Sequence, residues 1–107
     1  NSILDNVIVQ YGGWYNVFEG GTGAKSGAVK ADGANLTIKN SVFESNLYAG
    51  LELINATAVL ENTAFNKNEQ GVYIENDAGE CPDLSGAIFG EGEEANSIDV
   101  WPENCEL

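Results

Sequence analysis

Apolar residues recur at every second place in short runs along this chain, and Gly, Asn and Asp separate the runs. Leu36-Thr37-Ile38 and Leu51-Glu52-Leu53 show the alternation most plainly. This is the period of a strand, whose successive side chains face opposite ways, not the 3.6-residue period of a helix. The separating residues favour turns, because Gly and Asn tolerate left-handed backbone and Asp and Asn bond back to the chain. The pattern predicts an all-β protein of many short strands.

The runs also repeat. Residues 36–55 read LTIKNSVFESNLYAGLELIN and residues 58–76 read AVLENTAFNKNEQGVYIEN. Ile38 falls on Leu60, Asn40 on Asn62, Ser41 on Thr63, Phe43 on Phe65 and Asn46 on Asn68, a constant shift of 22. After one deletion Gly50 falls on Gly71, Leu51 on Val72, Leu53 on Ile74 and Asn55 on Asn76. Upstream, Leu4, Asn6, Val9 and Gly12 occupy the same phase; downstream, Leu84, Gly86, Phe89 and Gly92 do. The second strand recurs as Val29-Lys30-Ala31 and as Ile98-Asp99-Val100. A hairpin meander has no reason to return one residue type at one phase. A solenoid does, because each coil lies ~4.8 Å above the last and equivalent residues stack.

Stacking predicts interior columns of Leu4, Ile38, Leu60 and Leu84, and of Val9, Phe43, Phe65 and Phe89. Asn40 over Asn62 is expected to form an amide ladder at an inward bend, with Asn6 below and Gly86 ending it above. Lys39 and Glu61, and Lys30 and Glu52, are expected as opposite-charge neighbours on the outer face.

The string I-x-N-S/T-x-F-x-x-N followed by G-[LV]-x-[LI]-x-N, carried by residues 38–55 and 60–76, resembles the right-handed parallel β-helix repeat. That repeat occurs in pectate-lyase-like enzymes and in many secreted bacterial surface proteins. The resemblance implies a right-handed parallel β-helix of about four coils with three parallel sheets. Core coils span 3–100 of a single domain, 1–107, and an aromatic, Gly-rich insertion occupies 12–27. The motif specifies a fold and is nearly silent on function.

Composition narrows the chemistry. The chain has 107 residues, no His, 4 Lys plus Arg and 17 Asp plus Glu, for a net charge of -13. A Ser-His-Asp triad and a His-ligated zinc are excluded. The charge argues against nucleic acid and against an anionic membrane surface, and no run of residues is apolar enough to enter a bilayer directly. The four Lys plus Arg are all Lys, so the basic residue of the lyases and the His of the hydrolases in this superfamily have no counterpart. The expectation is therefore a chain without enzymatic activity; a fragment of a polysaccharide-degrading enzyme is the weakest alternative.

Two cysteines, Cys81 and Cys105, are expected to pair and tie down the segment 81–107, with Trp101 over the last coil. A disulfide implies an oxidising compartment, hence an extracellular or cell-surface protein. No basic-then-apolar leader opens the sequence, so any export signal is expected to lie outside these residues. Trp14, Tyr15 and Phe18 in the insertion are candidate ligand residues, because aromatic rings stack on the weakly apolar faces of sugars; the alternative is that they cover one side of the solenoid. Glu91, Glu93, Glu94 and Asp99 are a candidate calcium site, or else a solvated acidic loop. Gly23-Ala24-Lys25-Ser26 falls short of a phosphate-binding loop. Two functions follow as expectations. One is a surface module that binds glycans or another surface ligand in adhesion. The other is a building block that stacks on neighbouring coils or subunits through an uncovered N-terminal end, in a larger spike or filament.

Overall fold

A computed structural model describes residues 2–12, 14–16, 24–77, 79, 81–102 and 105. The chain winds as a parallel β-solenoid of about four coils. The first coil holds β1 (Ser2–Asp5) and β2 (Ile8–Gln10), then a hairpin of β3 (Trp14–Asn16) and β4 (Ala24–Ser26), then β5 (Val29–Asp32). The second holds β6 (Asn35–Lys39), β7 (Val42–Glu44) and β8 (Ala49–Ile54). The third holds β9 (Thr57–Glu61), β10 (Thr63–Asn66) and β11 (Gln70–Glu75). The fourth holds β12 (Ala87–Phe89), a 3-10 turn at Gly92–Glu94, and β13 (Ile98–Trp101). Three parallel sheets run along the solenoid, ordered β1-β6-β9, β2-β7-β10-β12 and β5-β8-β11-β13. Within the insertion at 12–27, β3 and β4 pair antiparallel.

The interior columns form as the repeat predicts. Leu4 pairs with Ile38 and Ile38 with Leu60, and Leu84 joins the same core, 1% exposed. Val9, Phe43, Phe65 and Phe89 stand in register across the second sheet. The Phe43 and Phe65 rings stack with centroids 5.0 Å apart, and Phe65 and Phe89 at 5.7 Å. Such pairs add roughly 0.5–1.5 kcal/mol beyond the area they bury.

The corners are set by left-handed backbone. Asn6, Asn40 and Asn62 have φ of 58, 50 and 47°, and Gly86 occupies the next equivalent place at 93°. Asn tolerates this region better than other non-Gly residues. At Gly86 a Cβ would lie 1.9 Å from the Leu60 carbonyl oxygen, so only Gly fits there.

Two expectations change. Asn40 and Asn62 do form a ladder, Asn62 Nδ2 donating to Asn40 Oδ1 at 3.0 Å and Asn40 Nδ2 to Asp5 Oδ1 at 3.2 Å, but both are exposed. The left-handed corner turns them outward. The inward ladder belongs to Asn46, Asn68 and Asn96. The register of the last coil also differs. Val100, not Ile98, lies beside Val72 and hence in the column of Val29 and Leu51. A two-residue slip keeps every side chain on its own face, so alternation cannot detect it. It places Trp101 on the outer face beside Tyr73, 44% exposed, rather than over the last coil. It also separates Asp99 from the column of Glu52.

Of the two charge pairs, Lys39 Nζ and Glu61 Oε2 meet at 3.5 Å. Lys30 and Glu52 are register partners, yet Glu52 is only 6% exposed and accepts from the Gly27 N–H at 2.8 Å.

Cys81 and Cys105 are disulfide-bonded across 24 residues, and Cys105 packs into the core. Reduction is expected to lower stability by about 3 kcal/mol through the freed chain entropy of the unfolded state. Urea unfolding with and without reductant measures this, and coincident midpoints would contradict it.

Candidate functional site

The outer face of the third sheet gathers the chain's most distinctive surface chemistry. Val29, Leu51, Val72 and Val100 face the core on its four strands, so the next residues, Lys30, Glu52, Tyr73 and Trp101, form one outward column. Tyr48, just before β8, lies against this column, its ring centroid 5.8 Å from that of Tyr73 and tilted by 47°. Exposure rises along the face: Tyr48 is buried, Tyr73 half-buried and Trp101 exposed.

Carboxylates border the rings. Tyr73 Oη donates to Glu75 Oε1 at 3.3 Å. Asp99, just before Val100, instead turns toward the buried Asn96 and accepts from its Nδ2 at 3.0 Å. Glu52 faces outward yet is buried because the base of the hairpin closes over it. A Cβ on Gly27 would sit 2.8 Å from the Glu52 Cβ, so the close approach depends on Gly.

The hairpin therefore springs from this same face. Its register sets Trp14 opposite Ser26, one residue from Gly27, and Tyr15 opposite Lys25. Two of the aromatic residues singled out in the sequence thus belong to a strand rooted beside Glu52. Phe18 lies outside the described residues.

Burial pushes the Tyr48 phenol up to about 12, helped by the negative potential of Tyr73, Glu52, Glu69 and Glu75. Burial also raises Tyr73, with Glu75 adding to the effect. The Tyr48 proton is thus held more tightly in the folded chain than in the unfolded chain, where it leaves near 10.0. The associated stability is complete below the unfolded value and is lost as pH rises toward the folded one. Urea midpoints are expected to fall across that alkaline interval, and Tyr48→Phe to flatten the fall. An unchanged slope in Tyr48→Phe would assign the loss to other groups.

The acidic residues near the last coil do not converge. Glu94 pairs with Lys67 at 3.6 Å and Asp99 with Asn96. Glu91, Glu93 and Glu94 are all exposed at the 3-10 turn, where adjacent side chains diverge by about 120°. Among the described residues, no group of three or more His, Cys, Asp or Glu is placed to hold a metal ion.

The Tyr48–Tyr73–Trp101 face is not apparent from the repeat. Its signal is the presence of Tyr73 and Trp101 at second-strand positions, which becomes a face only once the last coil's register is known. Comparison with protein-family models, with curated proteins and with solved structures finds no match for this chain.

Proposed function

We propose that the chain is a right-handed parallel β-helix module, similar to the non-catalytic secreted and cell-surface members of that fold, and that it binds glycans through the outer face of its third sheet. The observation that supports this is the run of Tyr48, Tyr73 and Trp101 on one outer face, bordered by Glu75. Aromatic faces accept the C–H groups of sugar rings, and carboxylates accept hydrogen bonds from hydroxyl groups. The net charge of -13 favours neutral or amine-bearing glycans over uronates and other anionic sugars. The module holds its ligand without transforming it. The disulfide suits an oxidising, extracellular setting.

A glycan array, followed by titration of the best ligand into Trp101→Ala and Tyr73→Ala, tests this. Each variant is expected to weaken binding by about tenfold or more, as loss of an aromatic contact does. Trp101→Ala should melt close to the parent because its side chain faces outward. Affinity equal to the parent's in both variants, or no glycan bound at all, would overturn the reading.

One observation favours structural assembly as a second reading. Leu4, Val9 and Val29 of the first coil are half-buried, whereas Ile38, Phe43 and Leu51 directly above them are fully buried. β1, β2 and β5 each have a sheet neighbour on one side. A second copy could cover this end. Light scattering across concentration is expected to show mass rising above 11.4 kDa if it does; a monomer throughout would remove this reading.

A further inference from the structure

The buried amide ladder has a direction. Asn46 N–H and Nδ2 both donate to Asn68 Oδ1, at 3.1 and 2.7 Å. Asn68 N–H and Nδ2 both donate to Asn96 Oδ1, each at 2.9 Å. Each rung also reaches down to a carbonyl of the coil below. Asn46 Nδ2 donates to Val9 O at 3.2 Å, Asn68 Nδ2 to Phe43 O at 3.0 Å and Asn96 Nδ2 to Phe65 O at 2.8 Å. Every rung therefore accepts from the amide beneath it through its oxygen and donates to a second-sheet carbonyl through its nitrogen.

At the C-terminal end the pattern changes: Asn96 Nδ2 donates to Asp99 Oδ1 at 3.0 Å in place of a further rung, and two groups are left over. Among the described residues, no acceptor lies against the Asn96 N–H. Phe89 follows Val9, Phe43 and Phe65 in the carbonyl column, and among the described residues its carbonyl receives no side-chain amide. A cavity of about 280 Å³ begins one residue beyond Phe89, lined by Gly90, Asn96, Ser97, Ile98 and Asp99 among others. Asn96 is itself more than nine-tenths buried, which fixes the direction of its groups.

We propose that this cavity binds a primary carboxamide, the side chain of an Asn or Gln on a partner polypeptide, as a further rung of the ladder. A primary carboxamide offers an oxygen acceptor and an N–H donor along one edge. Those are the groups that the Asn96 N–H and the Phe89 carbonyl require. A carboxylate has the acceptor and lacks the donor; a trans secondary amide presents the two on opposite sides. Asp99, on the cavity wall, can accept the second N–H of the carboxamide. A second copy stacked head to tail does not supply the group. The first coil carries Gly12 at the ladder position, where only its backbone N–H donates to Asn46 Oδ1, at 2.9 Å. The site is separate from the aromatic face, and its binding does not depend on glycan recognition.

Nitrogen-15 NMR of the intact chain tests this with three capped amino acids: N-acetylasparagine N-methylamide, the glutamine compound and the leucine compound. The Asn96 amide resonance is expected to shift saturably with the first two, at millimolar concentration, and about tenfold more weakly with the leucine compound. Ser97→Trp, which places a large side chain on the cavity wall at an exposed position, is expected to abolish the shift while the rest of the spectrum is retained. Equal shifts with the leucine compound, an unaltered response in Ser97→Trp, or no shift at Asn96 would each overturn the proposal.

Discussion

Replacing Asn68 with Leu, a side chain of nearly the same shape, is expected to destabilise the chain by about 3–6 kcal/mol. Asn68 is the central rung, 2% exposed. Its loss strips the acceptor from both the N–H and the Nδ2 of Asn46, and the Nδ2 donor from Phe43 O. A buried polar group left without a partner costs about 1–3 kcal/mol, and the Asn46 donors alone account for two. Removing one partner is worse than never having had the pair, because the stranded groups cannot regain water inside the solenoid. The exposed ladder gives the comparison. Asn62→Gly keeps the left-handed corner and leaves Asn40 open to solvent, so it should cost less than about 1 kcal/mol. Urea unfolding of the two variants measures the difference. Similar losses in both would mean that burial of the Asn46–Asn68–Asn96 ladder does not carry the stability assigned to it.

Phe65→Ala is expected to cost about 3–5 kcal/mol, the usual range for deleting a buried aromatic ring. The Phe65 side chain is fully buried, with stacked rings on both sides at 5.0 and 5.7 Å. Its removal opens a gap in the middle of a column, where the coils above and below are held apart by the sheet spacing and cannot close on it. For a domain of this size the loss corresponds to a melting temperature lower by roughly 12 °C or more. Phe89→Ala should cost less, because Phe89 is half-buried and, among the described residues, has an aromatic neighbour on one side only. A Phe65→Ala chain melting within a few degrees of the parent would contradict the stacked column.

The coils were legible where two conditions met. Residues 36–76 return the same residue types at one shift, and inward apolar residues alternate with outward polar ones. The columns of Ile38 and Leu60 and of Phe43 and Phe65 follow from those facts. Two Asn pairs share the shift, however, and sequence alone does not say which faces in. Asn40 and Asn62 lie at a left-handed corner, which swings them out, while Asn46 and Asn68 enter after the second-sheet strands. The last coil was ambiguous for a different reason. Its connection from β12 to β13 is longer than those of the second and third coils, and a slip of two residues leaves Val100 facing the core either way. That slip decides whether Asp99 or Trp101 stands beside Tyr73, and hence whether the face is acidic or aromatic. The hairpin was recognisable as an insertion, but its rooting beside Glu52 depends on the close approach at Gly27, which no periodicity encodes.

The most direct test of the aromatic face is therefore the register of β13 on β11. Nuclear Overhauser contacts in the labelled chain should join the Val72 and Val100 backbones, with the Tyr73 and Trp101 rings close on the outer side. Contacts joining Val72 to Ile98 instead would put Asp99 beside Tyr73, dissolve the aromatic face and remove the basis for glycan binding there.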